Sequence, residues 1–162
     1  MKRLLPLALV FLIACSKQST KPQPKVNGIV NYTIEGDSIQ IVDSASQSVA
    51  KWIYESTPVK GYAMQAYYAK PGGEVSYMIS LFIATDNIQI GGPYTSGVTG
   101  SILRNSTDYV STEGLQGTYI NVNIDQQKDQ TLTGTFTATL QNLNTNKFVE
   151  ISGSFDNVKL MQ

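Results

Sequence analysis

Thr131-Leu132-Thr133-Gly134-Thr135-Phe136-Thr137-Ala138-Thr139-Leu140 alternates a threonine with an apolar residue or glycine over five cycles. That is the two-residue period of a strand with one face in a core and the other in water, where β-branched polar residues are favoured. The run before it, Ile120-Asn121-Val122-Asn123-Ile124-Asp125, has the same period, and Gln126 to Asp129 reads as the connecting loop. After the loop at 142–147, Val149, Ile151, Gly153 and Phe155 alternate again, and Val158 and Leu160 continue one residue out of step. A β-bulge at Asp156-Asn157 would return both to the core face. The preferred register sets Phe136 across from Gly153 and Phe155 across from Gly134, so that each ring covers a glycine. The alternative sets the two glycines opposite each other.

Earlier parts of the chain carry the same period. Val26, Gly28, Val30, Tyr32 and Ile34 share one parity, Glu35-Gly36-Asp37 is a turn, and Ile39 and Ile41 lie on the return strand. Tyr62 to Lys70 reads as a strand and Pro71-Gly72-Gly73 as its turn. Val75, Tyr77, Ile79, Leu81 and Ile83 then face inward, with Ser76 and Ser80 outward and Met78 and Phe82 making the outer face partly apolar. Ile88 and Ile90 form a short strand, and weaker strands fall near Gly100–Arg104 and Thr107–Ser111. Asp43 to Glu55 is read as a short helix near 44–55, because Ser44-x-x-Gln47 resembles a capping box and Val49, Trp52 and Ile53 share a helical face. A strand carrying Trp52 and Tyr54 is the rival reading. The expected fold is all-β and mostly antiparallel: a β-sandwich or flattened barrel of eight to ten short strands.

The N-terminus has a different grammar. Met1-Lys2-Arg3 precedes an apolar run, Leu4 to Ile13, and then Ala14 and Cys15. A basic start, a short apolar core and a small residue make a secretory signal. As a helix the run would cover only ~15 Å, about half a bilayer core. Leu12-Ile13-Ala14-Cys15 resembles the lipobox of bacterial lipoproteins. That resemblance implies a diacylglyceryl group on the Cys15 sulfur and cleavage between Ala14 and Cys15. Residues 1–14 would then be removed, 15–25 would be a lipidated tether, and 26–162 a single β-domain. The alternative is a soluble secreted protein with a stray thiol. Ser16 to Lys25 has two prolines, three lysines and no apolar residue, so as an extended tether it would reach ~30–35 Å.

Further likeness lies in Gly92-Pro93-Tyr94, Gly117-Thr118-Tyr119-Ile120-Asn121-Val122, Thr133-Gly134-Thr135-Phe136-Thr137-Ala138 and Ile151-Ser152-Gly153-Ser154-Phe155. In this order they resemble small Bacteroidota lipoproteins built as β-sandwiches, with Gly-Thr-Phe and Gly-x-Phe strands in the closing hairpin. The likeness covers roughly residues 90–160 and brings no activity or site residues with it. It implies attachment to the outer membrane. In that group an acidic run after the cysteine accompanies export to the cell surface. Ser16-Lys17-Gln18-Ser19-Thr20 lacks one, which favours the periplasmic face.

Composition removes several chemistries. The chain has no histidine and one cysteine, so a His-based triad, an internal disulfide or a Cys/His zinc site cannot be built within it. The overall charge is zero, but Val26 onward carries seven basic and twelve acidic residues, a net of −5. Such a body offers no footprint for nucleic acid. The remaining enzyme chemistry is a carboxylate pair as in glycoside hydrolysis, with Glu35/Asp37, Asp125/Asp129, Glu74 and Glu113 as candidates. Nearly all of these sit in expected turns, where acidic residues serve turn geometry. Asp125-x-x-x-Asp129 could offer calcium oxygens from one loop, although the calcium-loop pattern is missing. Neither a metal nor another cofactor is expected.

Trp52, Tyr54, Tyr67 and Tyr68 are the candidate ligand contacts, as rings that stack on sugars; Tyr62 and Tyr77 are their neighbours. Tyr67 lies on the opposite parity from Tyr62 and Tyr68, and packing in core and rim is the competing use of such rings. The expected function is a non-enzymatic, lipid-anchored binding or structural accessory, with acylated Cys15 in membrane lipid and a glycan or protein as partner. A surface glycan-binding module is the alternative, and a carboxylate-dependent hydrolase the third reading.

Overall fold

The computed structural model describes residues 28–161 except 45–47, 57, 70, 71, 73, 74, 106 and 112–114. The expected signal at 1–14, Cys15, the expected tether at 15–25, Val26, Gln47, Glu74 and Glu113 lie outside the described residues. The described chain is entirely β, with eleven strands rather than eight to ten.

The chain starts with a ribbon of β1 (Ile29–Ile34) and β2 (Asp37–Val42). Its turn residues Glu35 and Gly36 have φ of 51° and 85°, the left-handed pair that matches strand twist in a tight hairpin. A meander comes next in β3 (Ser48–Glu55), β4 (Gly61–Ala69) and β5 (Val75–Ile83). After the two-residue β6 (Pro93–Tyr94) come β7 (Val98–Arg104) and β8 (Thr107–Ser111). The last three strands are β9 (Tyr119–Lys128), β10 (Thr131–Gln141) and β11 (Phe148–Met161).

Hydrogen bonding runs in the order β2-β1-β11-β3-β4-β5-β7-β8-β10-β9-β6, and β10 also pairs β11. Two changes of partner close this sheet on itself. β11 borders β1 over Ile151–Asp156, then turns to β3, which it meets in parallel over Lys159–Met161. β10 borders β9 over Thr131–Thr139, then meets β8 at Gln141. The strands β3-β4-β5-β7-β8-β10-β11 therefore form a ring, and β1–β2 and β9–β6 widen the wall around the β10–β11 hairpin. The result is a flattened barrel with a broad wall (β2-β1-β11-β10-β9-β6) facing a second wall (β3-β4-β5-β7-β8). Trp52 of the second wall meets Phe155 of the broad wall edge-on, with ring centroids 5.4 Å apart.

In the final hairpin Phe136 lies opposite Gly153, and Gly134 opposite Phe155, the register preferred from parity. A Cβ on either glycine would collide with the opposing ring and with a carbonyl oxygen of the next strand, Asn123 or Asn31. The expected bulge is present as well. Leu132 pairs with Val158 and Gly134 with Phe155, which leaves Asp156 and Asn157 against Thr133. Thr133 Oγ1 donates to Asp156 Oδ1 at 3.0 Å and accepts the Asn157 backbone N–H at 3.1 Å. The extra residue returns Val158 and Leu160 to the core, where they are 0% and 4% exposed.

Four local expectations are corrected. Residues 44–55 contain no helix among the described positions. Ser48–Glu55 is a strand paired with β4 from Ser48↔Tyr68 to Glu55↔Gly61, and Ser44 bridges Ser48 instead of opening a helix. A helix of two or three turns is marginal by itself, whereas this segment gains a full ladder against β4. Ile88 and Ile90 form no strand; the short strand lies at Pro93–Tyr94 and pairs with β9. Gln126 to Lys128 continue β9, and the tip is Asp129-Gln130 with φ of 46° and 60°. Ser76 is buried, because the register of β4 and β5 shifts between Tyr68 and Ala69 and leaves it as an extra residue.

Candidate functional site

The four candidate aromatics do not converge. Trp52 is 0% exposed between the two walls, where a ligand has no access to its ring, and its Nε1 has no partner among the described residues. Tyr54 stacks at a tilt on Tyr62, centroids 5.0 Å apart, near the rim. Tyr68 is partly buried and packs against the core. Tyr67 stands on the outer face of the second wall, opposite Val49 and Met78. That face carries apolar rows, Val49-Tyr67-Met78-Leu103 and Ile53-Ala63-Phe82, partly buried except for the buried Ala63, so Tyr67 is one apolar member among several.

The broad wall presents a different outer face. In one row, Gln40, Asn31, Ser154, Thr135 and Asn123 lie side by side across β2, β1, β11, β10 and β9. The next row is Ser38, Thr33, Ser152, Thr137 and Asn121. Each is an uncharged hydroxyl or amide able to donate and accept. Sheet spacing sets them on a grid of ~4.8 Å between strands and ~7 Å along each strand. Gln40 Nε2 donates to Asn31 Oδ1 at 2.8 Å. An open depression of about 580 Å³ lies over Asn31, Thr33, Ser38, Gln40, Ser152 and Ser154.

Charges border these rows. Asp125, which accepts from Asn123 Nδ2, and Asp156 lie beyond one end, and Glu150 beyond the other. At the Glu150 end Tyr119 and Phe148 are 49% and 50% exposed. Tyr119 pairs with Thr139, which pairs with Glu150, and Phe148 pairs with Gln141, so both rings belong to this outer face. The Phe148 ring lies over Gly117, whose φ is +84° and where a Cβ would come within 3.1 Å of ring Cε1. A second depression of about 550 Å³, lined in part by Ser96, Gln116 and Thr118, adjoins Tyr119. Sequence reasoning passes over this pair. Parity places both rings outward, since Ile120 and Val149 are read as core, but two lone rings far apart in the chain give a weaker signal than the cluster at 52–77.

The carboxylates serve an ionic clasp across the barrel end. Arg104 on β7 donates from Nη1 to Glu35 Oε2 at 2.6 Å and from Nη2 to Asp37 Oδ2, tying the β1–β2 turn to the second wall. Tyr109 OH donates to the same Glu35 oxygen at 3.4 Å. Burial, and secondly the Glu35 charge, push the Tyr109 phenol up, while Arg104 opposes them. Tyr32 lies deeper, and its hydroxyl has no partner among the described residues. Burial first and Tyr77 second hold that phenol far above its ordinary range, with Arg104 opposing. Asp125 and Asp129 do not share a loop: Asp125 lies on β9 and Asp129 at the hairpin tip, so no single loop presents both. Among the described residues no group of three or more His, Cys, Asp or Glu side chains is placed to hold a metal ion.

Comparison with protein-family models, with curated proteins and with solved structures finds no match to the chain.

Proposed function

We propose that this chain is a bacterial lipoprotein, held in the outer membrane by acyl groups on Cys15, whose β-domain binds or scaffolds and performs no catalysis. The observation that carries the anchor is Leu12-Ile13-Ala14-Cys15 directly after a basic and then apolar start. Each buried methylene contributes ~0.8 kcal/mol, so a diacylglyceryl group with an added acyl chain gives a lasting attachment. The non-acidic start of the tether favours the periplasmic face. The binding role is supported by a core filled from both walls, with the uncharged polar rows on the outside of the barrel. Carboxylate-dependent hydrolysis ranks last, because Glu35 and Asp37 are engaged by Arg104.

The anchor is tested by feeding cells radiolabelled palmitate with and without globomycin. Label on the wild-type chain, its loss in Cys15→Ser and accumulation of the longer precursor under globomycin are expected. Processing that ignores globomycin in an unlabelled chain would overturn the assignment. A glycan-binding module is the second reading, favoured by the uncharged face that ends in Tyr119 and Phe148.

A further inference from the structure

We infer that the outer face of the broad wall is a binding site for an uncharged polysaccharide chain, with Tyr119 and Phe148 as its stacking end. This deepens the second reading above and rests on the domain being a binding module.

The chemistry of the face selects the ligand. Two rows of hydroxyl and amide side chains cross five strands without a charge, and the bordering Asp125, Asp156 and Glu150 are acidic, so an anionic ligand finds no counter-charge there. An apolar partner would cover hydroxyls and amides without replacing their hydrogen bonds to water, which is unfavourable at every such group. A polyhydroxylated neutral chain does neither, since each sugar hydroxyl both donates and accepts, as do the groups beneath it. The rows alone would suit a solvated sheet face. Two rings about half exposed on the same face, and at the same end, distinguish it. By strand spacing and rise their Cα atoms are roughly 12 Å apart, so they would contact different sugar units. Such rings bury the apolar faces of sugars and leave the hydroxyls to the rows. One depression lies over the β1–β2 side of the rows, and another adjoins Tyr119.

The test is native gel electrophoresis of the full chain in detergent through gels containing dextran, mannan, xylan or galactan, with pectate as the charged control. Retardation by at least one neutral polymer is expected, with weaker or no retardation by pectate. Tyr119→Ala and Phe148→Ala should each weaken it about tenfold. The double change Thr135→Val/Thr137→Val, which removes hydroxyls while keeping β-branched shape, should weaken it as well. Tyr67→Ala on the opposite wall should not. Retardation lost only in Tyr67→Ala would sink this site and leave the binding-module reading standing. No retardation by any neutral polymer would sink both. Light scattering of the same samples tests the rival occupant, a second copy. A wild-type dimer that Tyr119→Ala makes monomeric would overturn the polysaccharide in favour of self-association.

Discussion

Tyr32 carries an unusual burden for a single side chain. It is 2% exposed, sits in the inner face of β1 and keeps its hydroxyl without a partner among the described residues. A buried, unmatched hydroxyl costs about 1–3 kcal/mol relative to one with a partner. Removing it in Tyr32→Phe should therefore leave urea stability unchanged or raised, although a tyrosine in a core is often assumed to be needed. Its titration gives a second consequence with a definite sign. In the unfolded chain the phenol ionises near its ordinary value of 10.0, while in the fold burial holds the proton on. Below pH 10 both states are protonated and the group makes no pH-dependent contribution. Above it only the unfolded state releases the proton, so stability falls as pH rises. Denaturation midpoints measured from pH 8 to 12 should decline beyond pH 10 in the wild type, and less steeply in Tyr32→Phe. Equal slopes would show that Tyr32 ionises as freely in the fold as in the unfolded chain. The Arg104 clasp nearby calls for less. Its partners Glu35 and Asp37 are 46% and 61% exposed at the side chain, the setting in which ion pairs add little.

At the scale of elements, the final hairpin shows how a sequence pattern becomes a unique register. Gly134 and Gly153 are hollows in the inner face, filled by Phe155 and Phe136 across the ladder. Gly153→Ala should therefore cost about 1–3 kcal/mol through overpacking. Pairing it with Phe136→Leu should cost less than the two single changes together, since contacting residues are not additive. Additive urea-denaturation values would show that ring and hollow are not coupled. This hairpin is legible in the sequence because its information is local: strict alternation, a short connection and one change of parity at Asp156-Asn157. β3 is not. In Ser48-Val49-Ala50-Lys51-Trp52-Ile53-Tyr54, Val49, Trp52 and Ile53 fit a helical face, while Ala50, Trp52 and Tyr54 fit a strand. Only the presence of β4 decides between them, and β4 lies beyond the window in which a period is read. Parity misplaces Ser76 for a similar reason, because an extra residue in one strand reverses the facing of its neighbours. Arg104 is invisible as a partner of Glu35, since 69 positions separate them and no pattern connects them.

For the whole molecule the decisive feature is closure, and its seams are narrow. Among the described residues, β11 meets β3 over three residue pairs and β10 meets β8 at one. At the first seam Leu160 is 4% exposed and pairs with Trp52. Leu160→Ala should thus act on both walls together and cost about 2–5 kcal/mol. Because opening is easiest where few bonds cross, amide hydrogens near the seams should exchange faster than those within the β9–β11 hairpins. Uniform protection around the ring would contradict this picture. No reading of single segments could reveal these seams, since each depends on a strand changing neighbours part-way along. The same topology makes the order in which the chain is delivered matter. β1 finds its long-range partner only in β11, and β3 joins the ring through the last described residues. A chain that emerges N-terminus first, from a ribosome or through a membrane pore, cannot close this barrel until its C-terminal strand is out. Until then it remains open and threadable, so the last strand delivered sets the moment at which the fold can close.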